Sequence, residues 1–258
     1  MAVHYEVDGA IVVVTLDRPE VANAIDRPTA DALVGAFRRF DADAALSVAV
    51  LAGAGGRFCC GADLKAMRSN DPARVVRVEP DGDGPVGPTR MLTDKPVIAA
   101  VEGHAVAGGL ELAAWCDLRV AAEDAVFGVF CRRWGIPLMD GGTVRLARLI
   151  GLSHALDLIL TGRGVSGEEA LRMGLANRLV PPGRALDEAV ALAREIAAWP
   201  QAALRSDRRS AYEQWSLGLG EALAGEYRHG MATVATGELV GGLDRYAGGN
   251  WRRGNLTS

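Results

Sequence analysis

Short apolar runs alternate with longer amphipathic stretches over the first half of the chain. Runs of β-branched and small apolar residues predict buried strands, and these occupy residues 11–16, 47–52, 96–101, 118–121 and 125–128. The spacing of apolar residues over 29–40 predicts a helix, and a second helix starts within 62–68. Strands that alternate with helices in this way predict an α/β core.

From about residue 142 onward the pattern is typical of helices alone. Glycines at 151, 162 and 174 punctuate it, and the predicted helices cover residues 146–150, 155–160, 168–173, 187–199, 202–214 and 221–234. We therefore predict a core domain of residues 1–195 and a helical C-terminal region of residues 196–258.

Residues 71–90 differ from the rest of the first half, because Gly, Pro and Asp are frequent there and no periodic pattern holds. Such composition predicts a loop. Two alternatives are open for it: a mobile flap over a site, or an excursion on the surface.

The segment 104–117 contains the strongest candidate for chemistry. Gly108 and Gly109 open an apolar helix that follows the strand 96–101 after a short turn, and the N-terminal amides of a helix carry a partial positive charge that can stabilise an oxyanion. Glu111 lies one turn inside this helix. Burying a carboxylate without a partner is costly, so Glu111 is a candidate proton-transfer residue. The alternative is that the two glycines only allow close packing of the helix on a strand.

A second strand–glycine–helix arrangement spans residues 57–67. Here Gly61 precedes Ala62, and the amide of Ala62 would face the amide of Gly108. Two N–H donors directed at one oxygen form an oxyanion hole, the arrangement that stabilises an enolate or a tetrahedral intermediate.

Composition and motif searches narrow the choice of function. The formal net charge is −4 and there is no basic run, which argues against a nucleic-acid partner. No apolar run reaches the length of a membrane span, and the first residues lack the features of a signal peptide. Four cysteines without a Cys-x-x-Cys pair favour a reduced, cytoplasmic protein. The chain has no Gly-x-Ser-x-Gly, Walker A or His-Glu-x-x-His motif, and its four histidines are scattered, so we expect no metal.

Four segments in order carry a resemblance that extends over nearly the whole chain. They are Asp17-Arg18-Pro19 with Asn23-Ala24; Gly61-Ala62-Asp63-Leu64-Lys65; Lys95-Pro96-Val97-Ile98-Ala99-Ala100-Val101 with Gly108-Gly109-Leu110-Glu111-Leu112; and Phe127-Gly128 with Gly141-Gly142-Thr143, Arg145-Leu146 and Ile150-Gly151. In this order and at this spacing, they resemble the signatures of the crotonase (enoyl-CoA hydratase/isomerase) superfamily.

The resemblance implies a fold, a ligand and an assembly. The fold would be a spiral of β-β-α units with a helical C-terminal segment that mediates trimerisation, giving a homotrimer or a dimer of trimers. The ligand would be an acyl-CoA thioester, whose oxygen the amides of Ala62 and Gly108 would hold. Ala62, Asp63, Leu64 and Lys65 would line the path of the coenzyme A and acyl groups. No cofactor would be needed, since coenzyme A is part of the substrate.

The chain departs from the pattern at one catalytic position. Hydratases of this superfamily carry two glutamates; one corresponds to Glu111, and the second falls on Cys131. A thiol lacks the second oxygen of a carboxylate and ordinarily titrates only near a pKa of about 8.5. We therefore predict weak or absent hydration of short, simple enoyl-CoAs. Cys131 would line the acyl pocket, either as a packing residue or as a nucleophile.

Alternatives are also open for the residues that follow Cys131. Asp140 matches an acidic position that some isomerases and dehalogenases of the superfamily use; it could instead cap the helix that starts near Gly142, or pair with Arg132 or Arg133. The two arginines, followed by Trp134, could neutralise a carboxylate on the acyl group or join a subunit interface.

The activity that the sequence predicts is that of an enoyl-CoA hydratase, a lyase of fatty-acid metabolism that reversibly hydrates a trans-2-enoyl-CoA. Glu111 would move a proton at the acyl α or β carbon, with Asp140 as its partner. Two alternatives remain: a Δ-isomerase or other lyase of the same fold that needs no second glutamate, and a non-catalytic protein that only binds acyl-CoA.

Overall fold

The computed structural model describes residues 2–248. The described residues form two compact units, residues 2–196 and residues 197–248. Nine strands are described, listed here in chain order: β1 Val3–Asp8, β2 Ile11–Leu16, β3 Val48–Gly53, β4 Val97–Val101, β5 His104–Val106, β6 Leu118–Ala122, β7 Val126–Gly128, β8 Gly164–Ser166 and β9 Arg178–Val180. The described helices are α1 Arg27–Ala42, α2 Leu64–Ser69, α3 Gly108–Trp115, α4 Gly142–Thr161, α5 Gly167–Arg172, α6 Ala185–Ala198, α7 Gln201–Glu213, α8 Leu219–Ala235 and α9 Glu238–Ala247.

A six-stranded sheet forms the centre of the first unit. Its order is β1-β2-β3-β4-β6-β9; β1 pairs antiparallel with β2, and the other pairs are parallel. The central strands β3 and β4 are buried along almost their whole length, because a parallel sheet is covered on both faces. Helix α1 buries Leu33, Phe37 and Phe40 completely, and the ring of Phe37 meets Trp115 of α3 edge to face, with 4.8 Å between centroids.

Three successive segments of the chain repeat one arrangement: a strand of the large sheet, then a short extended segment of the small sheet, then a helix. Strand β3 of the large sheet leads to Cys59, which pairs in parallel with β5, and then to α2. Strand β4 leads to β5 and then to α3, and β6 leads to β7 and, after a short 3₁₀ helix at Phe130–Trp134, to α4. Strands β5, β7 and β8 form a second, smaller sheet. The α/β architecture of β-β-α units with a helical C-terminal part confirms the predicted fold class.

Several elements differ from the sequence prediction. The short turn expected before Gly108 contains β5, which is too short to produce a periodic signal. The helices predicted at 146–150 and 155–160 run on as α4, with a kink at Gly151, where φ is +74° and ψ is 159°. The edge strands β1, β8 and β9 and the helix α9 were not predicted. Strands β8 and β9 have only three residues each, which is too short for a periodic pattern.

The second unit is helical throughout its described part, with α7 and α8 in extensive contact and α9 beside α8. Across residues 2–248, no helix combines the length and the apolar character that crossing a membrane would require.

Candidate active site

The turns that precede α2 and α3 lie against each other. They occupy equivalent places in neighbouring β-β-α units, and the amide of Cys59 donates to the carbonyl of His104 at 2.9 Å. Gly61 has a φ of +85°, and a Cβ there would lie 2.6 Å from the amide nitrogen of Gly108. A Cβ on Gly108 would lie 3.6 Å from the amide nitrogen of Ala62. The parallel packing of β3 and β4 therefore brings the two predicted amide donors together.

Neither of these two amides has a hydrogen-bond acceptor within the described part of the chain. The neighbours of Ala62 pair with Ile25 instead, through the carbonyl of Gly61 and the amide of Asp63, and Gly108 is the first residue of α3, where an amide has no partner within the helix. Ala62 and Gly108 both line the same pocket. Two unpartnered N–H groups in one pocket wall are the components of an oxyanion hole.

Ala107, the residue before Gly108, holds an unusual backbone conformation. Its φ is +54° and its ψ is −126°, a backbone conformation that residues other than glycine rarely adopt. The amide of Ala107 donates to the carbonyl of Gly128 at 2.9 Å, which fixes the turn to β7. Strain of this kind is found where a fold must position a functional group, and here it sets the direction in which α3 begins.

Glu111 is buried on the wall of this pocket, with 3% of its surface exposed. Its Oε1 atom accepts hydrogen bonds from the amides of Asp140 and Gly142, each at 2.8 Å. The sequence interpretation placed this carboxylate beside the amides of its own helix; the structure instead holds it at the beginning of α4. Burial, with the charge of Asp140 as the second cause, raises the pKa of Glu111 to about 7, while the two amide hydrogen bonds oppose the shift.

Asp140 also lines the pocket, and the structure separates the alternatives for it. Its Oδ1 atom accepts a hydrogen bond from the amide of Val86 at 3.1 Å and a very short one from the hydroxyl of Thr89. The N-cap of α4 is Gly141, without a side-chain hydrogen bond, so the capping alternative is wrong. No ion pair joins Asp140 to Arg132 or Arg133 within residues 2–248. Burial raises the pKa of Asp140, against the hydrogen bonds from Thr89 and Val86.

Residues 71–90 form a wall of the pocket rather than an excursion away from it. Val76, Val78 and Val86 line the pocket, and a 3₁₀ helix at Pro88–Arg90 places Thr89 beside Asp140. A Cβ on Gly84 would come within 2.6 Å of Asp140 Oδ1. Because Gly84 has no side chain, the loop can approach the carboxylate of Asp140 closely.

Asp63 holds α2 in place. Its Oδ1 atom caps the helix by accepting from the amides of Lys65 and Ala66, each at 3.1 Å. Its Oδ2 atom lies 3.1 Å from the guanidinium of Arg18 and 3.6 Å from that of Arg74. With both oxygens occupied, Asp63 positions the Ala62 turn even though it also borders the pocket.

Leu64, Lys65 and Cys131 are the other predicted pocket residues, and the structure places all three on the wall. Leu64 and Lys65 are exposed at the start of α2, whereas Cys131 is buried, with 4% of its surface exposed. Burial and the neighbouring charge of Glu111 raise the pKa of the Cys131 thiol. A thiol that stays protonated is a poor nucleophile, which favours the packing role.

The pocket that joins these residues has a volume of about 390 Å³, within the usual range for a small-molecule site. Apart from Glu111, Asp140, Asp63 and a few other polar groups, its wall is apolar. Across residues 2–248 no cluster of three or more His, Cys, Asp or Glu side chains could hold a metal ion.

Sequence reasoning missed two groups of this site. Thr89 and the amide of Val86 hold Asp140, and nothing in the loop composition of 71–90 indicated this. Arg18 forms ion pairs with Asp63 and with Asp26, the latter at 3.3 Å. The sequence analysis noted Arg18 within the segment Asp17-Arg18-Pro19, but the residue type alone did not indicate which carboxylates it pairs with.

Comparisons with known proteins agree with this geometry. The family model described as enoyl-CoA hydratase/isomerase matches residues 6–250. The chain is 37% identical over 247 residues to the enoyl-CoA hydratase EchA19 of Mycobacterium tuberculosis, covering 93% of this chain and 91% of that protein. It is 40% identical over 201 residues to the carnitinyl-CoA dehydratase of Salmonella agona, covering 76% and 74% of the two chains.

Solved structures resemble this chain over almost its full length. The enoyl-CoA hydratase EchA1 of Mycobacterium marinum superposes with a TM-score of 0.89 at 38% identity and covers 95% of both chains. The carnitinyl-CoA hydratase of Mycobacterium avium superposes with a TM-score of 0.77 at 33% identity and covers 91% of this chain and 88% of that one.

Proposed function

Because the chain belongs to the enoyl-CoA hydratase/isomerase family, we propose that its pocket binds a trans-2-enoyl-CoA thioester and reversibly adds water to it. One observation carries the proposal: Glu111, a buried carboxyl, shares a pocket with the two unpartnered amides of Ala62 and Gly108. An anion-stabilising pair of donors and a proton-transfer group are what the chemistry of a thioester enolate requires.

The two amides would act on the thioester oxygen. When a nucleophile adds at the β carbon, or a proton leaves the α carbon, negative charge develops on that oxygen. Fixed N–H donors in a water-poor pocket stabilise this charge without reorganisation, and loss of one such donor typically costs about 3–4 kcal/mol of activation free energy. The close contact of Gly61 with Gly108 keeps the donors of Ala62 and Gly108 at one place.

Glu111 and Asp140 would divide the proton transfers. Hydration requires that a water molecule lose a proton as its oxygen joins the β carbon, and that the α carbon receive a proton. Glu111, with a pKa of about 7, can accept or donate a proton near neutral pH. Asp140 is the second carboxyl on the wall and takes the place of the missing second glutamate in this proposal.

The start of α2 would receive the rest of the thioester. Leu64 is exposed beside Ala62 and offers apolar surface, and Lys65 supplies a positive charge for an anionic part of the coenzyme. Cys131 would border the acyl chain.

A double-bond isomerase of the same fold is the second candidate, and Cys131 is the observation that favours it. Moving a double bond needs one proton to leave a carbon and one proton to return, with no water to be held. A single pair of carboxyls at Glu111 and Asp140 meets that need, whereas the thiol at Cys131 cannot replace a glutamate in binding a water molecule.

Crotonyl-CoA in deuterated water separates the two candidates. We expect slow loss of the absorbance of the conjugated thioester but measurable exchange of the γ hydrogens, since Glu111 can move protons even where water is poorly held. A hydration rate equal to that of a two-glutamate hydratase would contradict this prediction, and hydration without exchange at the γ carbon would exclude the isomerase.

Glu111→Gln tests whether the protein is an enzyme at all. The amide preserves the hydrogen bonds from Asp140 and Gly142 but cannot take up a proton, so turnover should fall by at least a hundredfold while acyl-CoA binding is retained. A protein that only binds acyl-CoA would show no turnover in either form.

We further propose that the protein forms a homotrimer or a dimer of trimers in the cytoplasm, and that it needs no cofactor. Exposed apolar side chains on α8, among them Leu219, Leu223 and Tyr227, support an oligomer. All four cysteines lie within the described residues and are unpaired, which supports a reducing compartment.

A further inference from the structure

The 3₁₀ helix at Phe130–Trp134 places a positive charge on the wall of the pocket. The guanidinium carbon of Arg133 lies 3.7 Å from the centroid of the Phe130 ring, and both residues border the pocket. Within residues 2–248, no carboxylate lies at ion-pair distance from Arg133. Stacking on an aromatic face holds a guanidinium while leaving the N–H groups at its edge available.

The charges along the wall are unevenly matched. Asp63 pairs with Arg18, Oε1 of Glu111 accepts from two amides, and Oδ1 of Asp140 accepts from an amide and a hydroxyl. Glu20 is the fourth acidic residue on the wall. The cations that border the pocket are Lys65 and Arg133. They belong to different β-β-α units, Lys65 to the start of α2 and Arg133 to the 3₁₀ helix before α4.

The neighbours of Arg133 also suit a ligand anion. Trp134, Ile136 and Met139 border the pocket beside it, and Cys131, two residues earlier, lies next to Glu111. Arg133 itself is exposed, so its N–H groups can reach an anion, and a hydrogen bond between two charged groups is stronger than one between neutral groups. Arg133 follows Cys131 by two residues, and Cys131 feels the charge of Glu111, so in this proposal Arg133 meets the acyl group, whereas Lys65 stands beside the Ala62 turn.

We propose that Arg133 selects acyl-CoA substrates whose acyl chain ends in a carboxylate, so that the enzyme acts on monothioesters of dicarboxylic acids. This inference rests on the proposed function, because it names the substrate class of the same pocket. The two related proteins that are named for carnitinyl-CoA take an acyl group with a trimethylammonium cation. Arg133 would repel such a cation in this chain.

Arg132 provides a matched control. It is adjacent in sequence and has the same charge, but its Nε donates to the carbonyl of Ile159 at 3.1 Å, and its side chain does not border the pocket. An effect of overall charge would appear in both Arg132→Gln and Arg133→Gln, whereas a direct contact would appear only in the second.

Calorimetric binding of saturated thioesters tests the proposal without requiring turnover. Succinyl-, adipoyl-, suberoyl- and sebacoyl-CoA are each compared with the monocarboxylic thioester of equal chain length. At one chain length or more, the wild-type chain should bind the dicarboxylic thioester at least tenfold more tightly, with a preference that weakens as salt is added. Arg133→Gln should abolish the preference, Arg133→Lys should retain part of it, and Arg132→Gln should leave it intact.

The other outcomes are distinct. Equal binding of the paired thioesters at every length would overturn the inference while leaving the proposed function standing. An equal loss for both members of a pair in Arg133→Gln would show that Arg133 contacts the coenzyme or supports the wall, and would also overturn it. If no thioester binds, the proposed function fails together with this inference. Circular dichroism of each variant establishes that the loss is not one of folding.

Discussion

At the scale of single residues, Glu111 combines two opposing influences. Burial disfavours its charged form, whereas two backbone amides at the beginning of α4 favour that form. The balance leaves the pKa of Glu111 at about 7, where the carboxyl can exchange a proton in both directions. Asp140 contributes through its charge, and Thr89 and Val86 hold it in place.

The pH dependence of α-proton exchange should follow Glu111. The carboxylate form removes the proton, so kcat/KM should rise with pH and reach half its maximum near pH 7. Asp140→Asn removes a negative charge that raises the pKa of Glu111. The rising limb of the pH profile, where kcat/KM increases with pH, should therefore move to lower pH, whatever the effect of the substitution on the maximal rate. Cys131→Ala removes a neutral thiol and should leave the limb in place; the same displacement in both variants would contradict the assignment.

Glu111→Gln should also change stability, with a sign that depends on pH. The folded-state pKa of Glu111 lies above its ordinary value of 4.5, so the protonated carboxyl favours folding below about pH 4.5 and this contribution is lost as pH rises through 7. At pH 8 the variant should therefore be more stable than the wild type by about 1–3 kcal/mol, and the difference should shrink toward pH 4.5. Urea denaturation measures it.

The control for that experiment is Glu123→Gln, at an exposed carboxyl outside the pocket. It should show no comparable gain at pH 8. A wild type more stable than Glu111→Gln at pH 8 would mean that the amide hydrogen bonds outweigh burial.

At the scale of elements, the site depends on how two turns of the spiral meet. The carbonyl of Cys59 accepts from the amide of Val106 at 3.0 Å, and glycines at 61, 108 and 109 let the backbones touch. The local sequence therefore needs small residues where neighbouring units approach. The packing role of Gly108 and Gly109 is confirmed by these contacts, and it is compatible with the oxyanion role, which stays a prediction.

Gly109→Ala should disrupt this junction. Its Cβ would lie 2.0 Å from the carbonyl oxygen of Cys59, so α3 must move away; we expect a loss of about 2 kcal/mol or more in the free energy of unfolding, together with loss of turnover. Gly35→Ala is the matched substitution within α1, where nothing lies within 4 Å of the new Cβ. It should stabilise the protein by about 0.5–1 kcal/mol, and equal effects in the two variants would contradict the argument.

At the scale of the whole molecule, the described part of the C-terminal unit exposes more apolar side chains than a monomer requires. Leu219, Leu223 and Tyr227 follow one another at four-residue spacing along α8, which places them on one face of the helix. None of the residues of α8 is buried except Gly225. A continuous apolar face of this kind is typical of an interface.

Analytical ultracentrifugation tests the assembly. The chain should sediment with three or six times its mass of 27.1 kDa. The double substitution Leu223→Asp with Tyr227→Asp should lower that mass, because two buried charges at an apolar interface are costly. Val7→Asp, at an exposed residue of β1, should leave it unchanged, and a monomeric wild type would contradict the proposal.

The sequence by itself determined the buried strands β2, β3, β4 and β6, the helical second half and the α/β fold class, because hydrophobic patterning and glycine positions act locally along the chain. It also identified Glu111, Gly108 and Ala62 as candidates, since a lone carboxyl behind a glycine-rich turn is visible in one segment. What only the tertiary structure decided is which groups face each other: Glu111 with the start of α4, and Asp140 with Thr89. These contacts join residues far apart in the chain, and they follow from the parallel stacking of the spiral's units, which no local pattern encodes.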